Sequence, residues 1–271
     1  MEETVPVVYD LPGELDLRQI ADSGQCFRLK EYEKDKFIAV TGVHAVDIHC
    51  QGNVHTFCCS SKEFRTVWVP YFDLGTDYKA FKARMRNDLF LQDAIQEGGG
   101  IRILRQDLWE MAVTFTISQR NNIPRISKSV EFLCDNFGTP LKVIGGRMVH
   151  AFPTAGQLLG ADLSAASLGY REPYIRELCK YGDDVWQELP NLSNDQAKKT
   201  LTGMKGIGEK VANCIMLFGL HRMDCYPRDV WVNRLIDDVY HGDFDPDQYA
   251  GFAGYVQQMQ FYHYRKRRLK F

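Results

Sequence analysis

The sequence predicts an α+β protein: an N-terminal antiparallel β domain followed by a mostly α-helical domain. Three observations predict it. Between residues 37 and 58, short runs rich in Val, Ile, Phe and Thr are separated by Gly42-Val43-His44 and Gln51-Gly52-Asn53, the pattern of strands joined by turns. From residue 103 onward, apolar residues recur at helical spacing. Between the two regimes lies Gly98-Gly99-Gly100, which reads as a linker and divides the chain into 1–100 and 101–271.

Each element has a local reason. Segment 15–22 reads as a short helix ahead of strands 37–41, 45–50 and 54–58. Segments 62–68, 78–87 and 89–97 read as helical, with Pro70 and Gly75 as breaks. Segment 107–119 places Leu108, Met111, Ala112 and Phe115 on one helical face. Pro124 opens a helix reaching about residue 136, because proline suits the first helical turn. Thr154 and Ser164 each cap a short helix. Helices follow over 171–181, 194–203, 209–220, 230–240 and 246–264.

Composition excludes several classes. With 45% apolar and 25% charged residues the chain is globular. No apolar run approaches membrane-spanning length, and the acidic start MEETVPVVYD has no leader-like apolar core. Eight scattered cysteines without a C-x-x-C fit neither a zinc site nor a disulfide framework, so reduced thiols in an intracellular protein are expected. A net charge of −2 supplies no global field for a polyanion. Any nucleic-acid contact then depends on local donors. The run Arg265-Lys266-Arg267-Arg268-Leu269-Lys270 is either such a source of attraction or a solvated tail.

Most of the chemistry lies in 201–229, LTGMKGIGEKVANCIMLFGLHRMDCYPRD. Gly206 and Gly208 permit positive φ and close backbone approach. A turn of this kind entering a helix presents unpaired N–H groups, which suit a phosphate. Lys210 falls in the first helical turn beside Val211, Cys214 and Ile215. The helix dipole and apolar neighbours both disfavour its charged form, and a neutral amine is a nucleophile. Nineteen residues later, Asp229 precedes a helix as its N-cap. Taken alone, the glycine turn is also what a plain helical hairpin needs, with Lys210 solvated and Asp229 a simple cap.

Near the C-terminus, Gln257 and Phe261 stand four residues apart, placing an amide beside a ring on one face. Tyr249, Phe252, Ala253 and Val256 form a separate stripe toward the core. Such an amide and ring can read and stack on an extruded base, or the ring can pack inside with the amide exposed. Ser118-Gln119-Arg120-Asn121-Asn122-Ile123-Pro124-Arg125 places amides and guanidinium groups at a helix–helix corner. Two shorter segments, Ser23-Gly24-Gln25-Cys26-Phe27-Arg28 and Leu168-Gly169-Tyr170-Arg171, combine a glycine with polar or aromatic neighbours.

Taken together, these segments resemble the helix-hairpin-helix DNA glycosylases, and the lysine resembles their bifunctional branch. Nearly the whole chain resembles the 8-oxoguanine DNA glycosylases with AP lyase activity. The resemblance implies catalysis by Lys210 and Asp229, with the hairpin at 201–212. It implies base recognition by Gly24, Cys214, Gln257 and Phe261, the Gly24 carbonyl accepting from the N7–H that only the oxidised base carries. DNA contacts are implied for Gly206, Gly208, Asn121, Asn122, Arg125, Tyr170 and Arg171. Arg120 stands where the family's eukaryotic members have asparagine, and Trp231 where the family has histidine.

The resemblance further implies a monomer acting on double-stranded DNA that contains 8-oxoguanine, with no membrane role. No metal and no redox cofactor are required, and a monovalent cation at the hairpin is allowed. An iron–sulfur cluster is excluded because no cysteine follows Cys225. The expected location is intracellular and DNA-associated, in the cytoplasm or nucleoid if the source is prokaryotic. The rival readings are an alkylpurine glycosylase, against which Lys210 argues, and a noncatalytic hairpin protein, which has no need of Lys210 with Asp229.

Overall fold

The computed structural model describes residues 6–11 and 13–269. Residues 1–5 of the acidic start and Lys270 of the basic run lie outside the described residues.

Strand β1 (Val7–Asp10) and helix α1 (Leu17–Asp22) precede β2 (Leu29–Glu33), β3 (Lys36–Thr41), β4 (His44–Gln51) and β5 (Val54–Phe57). These strands form one five-stranded antiparallel sheet in the order β1-β5-β4-β3-β2. The predicted turns hold, because Gly42 and Gly52 adopt left-handed φ of 52° and 61°. Strands β1 and β2 were not expected. The burial of β2 alternates along LKEYE, but three of its five residues are charged, which hides a strand with one face on the core.

Helices α2 (Ser61–Glu63) and α3 (Val69–Tyr71) flank a π-helical turn, Phe64–Trp68. Phe57, Trp68 and Phe72 fill the core beneath the sheet. Then come α4 (Tyr78–Arg84), α5 (Leu89–Gly98), α6 (Leu108–Ile117) and α7 (Ile123–Phe137). Side chains from Tyr78 to Ile103 share a core with the helical part. Gly98-Gly99-Gly100, expected as a linker, is instead a packing junction. A Cβ on Gly100 would meet Asp16 Cβ at 2.4 Å, and the Gly100 carbonyl accepts the Asp16 N–H at 2.9 Å. The buried guanidinium of Arg102 bridges the two cores, donating to the carbonyls of Phe72, Glu14, Asp73 and Thr76.

A second unexpected feature is the hairpin β6 (Pro140–Ile144) and β7 (Arg147–His150), turned by Gly145-Gly146. Helices α8 (Ala155–Leu159), α9 (Glu172–Leu178), α10 (Asp183–Glu188), α11 (Asn194–Thr202), α12 (Glu209–Phe218), α13 (Val230–Tyr240) and α14 (Ala253–Leu269) complete the chain. Their starts follow from capping: Thr154 and Ser193 form capping boxes with Gln157 and Gln196. At Ser164 the structure has only a 3-10 turn, Ser164–Ala166, with Asp162 accepting its first N–H.

The helix expected over 246–264 is split. Pro246–Tyr249 is a 3-10 turn, and Gly251 at φ 87° breaks the path before α14. Helix α14 then runs through the basic segment, which is therefore no loose tail. Arg268 bonds Asp238, and Arg267 lies 3.7 Å from Asp93. No helix among the described residues is long and apolar enough to cross a membrane.

Candidate active site

The base-pocket and catalytic candidates converge on one cavity of about 760 Å³. Lys210, Cys214, Asp229, Gln257, Phe261 and Gly24 all line it, with Asn121, Asn122 and Arg125 at the loop side. Residues 24, 121–125, 210–229 and 257–261 are far apart in sequence, so only the fold brings them together.

The hairpin consists of α11, the turn 203–208 and α12. Gly206 has φ 92°, and a Cβ there would lie 2.4 Å from Tyr174 Cγ, so both conformation and space demand glycine. Gly208 differs from expectation. Its φ is −88° and nothing lies within 4 Å of a Cβ, so it needs no left-handed freedom. Gly208 is instead the N-cap of α12 and has no side chain to cap with. The leading N–H groups of α12 are thereby left without a side-chain partner, which suits an anion.

Lys210, the second residue of α12, reaches over the Phe115 ring, its Nζ 5.5 Å from the centroid. Phe115 itself stacks on Phe218 at 5.3 Å. Both rings line the cavity, and neither was expected there. One turn on, Cys214 is buried; burial raises its thiol pKa while Lys210 pulls the other way. Asp229 caps α13, accepting the Val232 N–H at 2.8 Å, and that bond fixes the carboxylate at the cavity wall. Trp231 lines the cavity beside it.

Gly24 has φ 81°, and a Cβ would crowd Ile123 Cδ1 at 3.0 Å and Phe261 Cε1 at 3.4 Å. Its turn is pinned from several sides. Gln258 donates to the Ser23 carbonyl at 2.8 Å, and Gln25 bridges Ser23 Oγ, the Arg102 carbonyl and the Leu104 N–H. Gln25 is therefore a structural anchor. The stripe Tyr249, Phe252, Ala253 and Val256 is buried as expected, while Gln257 and Phe261 face the cavity.

The corner loop serves first as its own scaffold. Asn122 caps α7 through the Arg125 N–H, and Asn121 Nδ2 donates to the Ile117 carbonyl. Arg120 is exposed at φ 47°. Gln119 donates to the Gly206 carbonyl at 2.9 Å, tying the loop to the hairpin. Tyr170 is half exposed and donates to the Gln119 carbonyl. Arg171, expected at the DNA surface, points inward instead. It is 6% exposed and donates to the carbonyls of Gln119, Arg120 and Leu168. Its N–H groups are used on the loop that it supports.

Sequence reasoning also missed Arg265, which lines the cavity four residues after Phe261. The signal was its spacing on the Gln257–Phe261 face, masked by the surrounding basic run. Among the described residues, Asp47, His49 and Cys58 form the one trio whose donor atoms lie within 4.8 Å of one another. Asp47 and His49 lie on β4 and Cys58 directly follows β5, and none of the three lines the cavity.

The fold and this shared cavity define a DNA glycosylase, with Lys210 and Asp229 on the cavity wall. Residues 9–112 match the family described as 8-oxoguanine DNA glycosylase, N-terminal domain. The structure superposes on MBOgg1, solved in complex with a low-affinity DNA ligand, with TM-score 0.89 and 31% identity over 98% of both chains. It also resembles the Clostridium acetobutylicum 8-oxoguanine glycosylase/lyase, solved with double-stranded DNA containing cytosine opposite 8-oxoG. There the TM-score is 0.88 and the identity 28%, over 99% of this chain and 98% of that one. An N-glycosylase/DNA lyase of Saccharomyces cerevisiae is 29% identical over 259 residues, 84% of this chain and 69% of that protein. The chain belongs to the 8-oxoguanine DNA glycosylase/lyase family.

Proposed function

We propose that this protein excises 8-oxoguanine from duplex DNA and then nicks the abasic strand. The observation that carries the reading is the single cavity shared by a nucleophile pair, Lys210 and Asp229, and a base reader, Gly24, Cys214, Gln257 and Phe261. A binding module has no use for that combination. Family membership supports the same conclusion.

The steps follow from the residues. The N–H groups at the start of α12 hold a backbone phosphate, and the corner loop and Tyr170 occupy the space that the extruded nucleotide leaves. Extrusion costs about a few kcal/mol, which these contacts offset. Gln257 pairs with the Watson–Crick edge, Phe261 and Cys214 cover the two faces, and the Gly24 carbonyl accepts N7–H. Lys210 attacks C1′ as the free amine. The C1′–N9 bond breaks, and the base leaves with the electron pair and a proton. The Asp229 carboxylate stabilises the positive charge that develops on the sugar. Ring opening at O4′ gives a Schiff base on Lys210. Loss of a C2′ proton then expels the 3′ phosphate, and water returns the free lysine. None of these steps needs a redox cofactor, a catalytic metal or an iron–sulfur cluster. Backbone carbonyls of the hairpin would suit a monovalent cation.

One chain carries every group that the reaction uses, which supports action as a monomer; the proposed setting is DNA inside the cell. The test is borohydride trapping on a duplex containing 8-oxoguanine. A covalent adduct is expected with the wild type and not with Lys210→Gln. Base release without any adduct would replace the lysine mechanism by attack of water.

A further inference from the structure

Within the cavity, the charged side chain of Arg265 has no part in the mechanism above. Arg265 Nη2 donates to the Asp22 carbonyl. Its Nε and Nη1 are buried without a partner. Its guanidinium carbon stands 5.4 Å from the Phe261 ring centroid, and Nη1 lies 3.5 Å from where a Gly24 Cβ would be. Buried guanidinium donors without partners are expensive to keep, and burial accordingly lowers the Arg265 pKa. A cavity that retains such a cost is prepared for an acceptor on its ligand.

Position identifies the acceptor. Gln257, Phe261 and Arg265 follow at intervals of four on one face of α14. The first and last are separated by about 12 Å along the axis at 1.5 Å per residue. Long helical side chains lean toward the N-terminus, and the longer arginine leans further than the glutamine, which shortens the gap at their tips. A purine with a hydrogen bond on each edge spans a comparable length. With Gln257 on the Watson–Crick edge, Arg265 meets the imidazole edge, where Gly24 also lies. In 8-oxoguanine that edge carries N7–H, a donor, and beside it the C8 oxygen, an acceptor. Guanine offers an N7 acceptor and a C8–H there instead.

We propose that Arg265 is a specificity residue whose unpaired N–H groups donate to the C8 oxygen, while the Gly24 carbonyl takes the adjacent N7–H. This rests on the 8-oxoguanine reading above. The two contacts read the lesion as a donor–acceptor pair. Guanine fails both: it has no hydrogen for Gly24, and it has no C8 oxygen for Arg265, leaving only N7 as an acceptor on that edge, which disfavours the wrong base as well as favouring the right one.

The experiment compares single-turnover release of 8-oxoguanine with release of 8-thioxoguanine, which keeps N7–H but replaces the C8 oxygen by a poor acceptor. A charge-assisted hydrogen bond predicts that the wild type prefers oxygen by about 10- to 100-fold. In Arg265→Met the 8-oxoguanine rate is expected to fall by that factor while the 8-thioxoguanine rate holds, so the preference collapses. A parallel fall in both rates would mean that Arg265 only pins the Gly24 turn through Asp22, and would overturn the proposal. Collapse through a rise in the thioxo rate would indicate crowding by sulfur and would overturn it equally. Should the methionine variant not fold, Arg265→Lys serves: partial loss confined to the oxo substrate supports the contact, and parallel loss or no change refutes it. A wild type that binds an abasic duplex yet releases no 8-oxoguanine would overturn the substrate reading first, before any Arg265 variant is made.

Discussion

Replacing Arg171 by methionine separates an interior role from a DNA contact. The resemblance placed this arginine at the DNA; the structure turns it inward onto three carbonyls, with Nε 2.7 Å from Gln119 O, Nη2 2.9 Å from Arg120 O and Nη1 3.2 Å from Leu168 O. Hydrogen bonds to a charged group contribute about 1.5–3 kcal/mol each. They are not additive here. The loop carbonyls lie near the surface and regain water, and the variant no longer carries a buried charge. A net loss of about 2–4 kcal/mol follows, and for a chain of this size that lowers Tm by roughly 10 °C. Thermal unfolding and salt-dependent binding to an abasic-analogue duplex decide the matter. An interior brace predicts lower Tm and weaker binding with an unchanged slope of log K against log salt. A phosphate contact predicts the reverse: unchanged Tm and a slope shallower by about 0.9. That second pattern would refute the assignment.

The remaining predictions concern recognition and pH. Gln257→Ala should weaken binding to a non-cleavable 8-oxoguanine duplex by about 5- to 100-fold, the range of one lost hydrogen bond. Equal loss on an abasic analogue would remove Gln257 from base recognition. Gly24→Ala forces a Cβ against Ile123 and Phe261 at a φ of 81°; a backbone cost of about 1–2 kcal/mol and a narrowed pocket should slow 8-oxoguanine release at least tenfold (~1.4 kcal/mol), and an unchanged release rate would contradict the placement. Glu110 is fully buried, and burial raises its carboxyl to about 8 from an ordinary 4.5, with Arg28 opposing. Between those values the unfolded chain releases a proton that the folded chain keeps, so its contribution to stability falls as pH rises and levels off above the upper value. The stability gained by Glu110→Gln should therefore grow between pH 5 and pH 8.5, by up to about 1.4 kcal/mol per pH unit. An equal gain at both pH values, measured by urea unfolding, would show that the buried carboxyl does not titrate in this window.

The sequence disclosed what depends on local pattern. Strands β3, β4 and β5 were legible because glycine turns bracket β-branched runs, and helices α7, α8, α11 and α13 because their caps and periodicity agree. The hairpin β6–β7 carried a signal, Gly145-Gly146 between apolar runs, that its helical surroundings obscured. Gly100 escaped for another reason: a linker glycine and one admitting the Asp16 backbone look identical in sequence, and only the long-range contact tells them apart. Arg171 and Arg265 failed in the same way. An arginine is expected at the surface. Whether it is buried depends on carbonyls that other segments supply, such as Asp22, 243 residues from Arg265.

The placement of the pocket also divides the site into two mechanical units. Gln257, Phe261 and Arg265 share α14, and the same helix grips the Gly24 turn through Gln258 to Ser23 and Arg265 to Asp22. All the proposed base readers except Cys214 are therefore carried or held by one helix. Lys210 instead sits in the first turn of α12, and Asp229 caps α13, beside the hairpin proposed to hold DNA. The units meet where Tyr264 and Arg268 of α14 bond Asp238 of α13. An abasic site offers nothing to the first unit and everything to the second. Substitutions in the reader should thus change base release selectively, whereas Asp229→Asn should depress base release and abasic-strand cleavage together. Selective loss of one activity in that variant would mean that the carboxylate serves a single step, not the cation common to both.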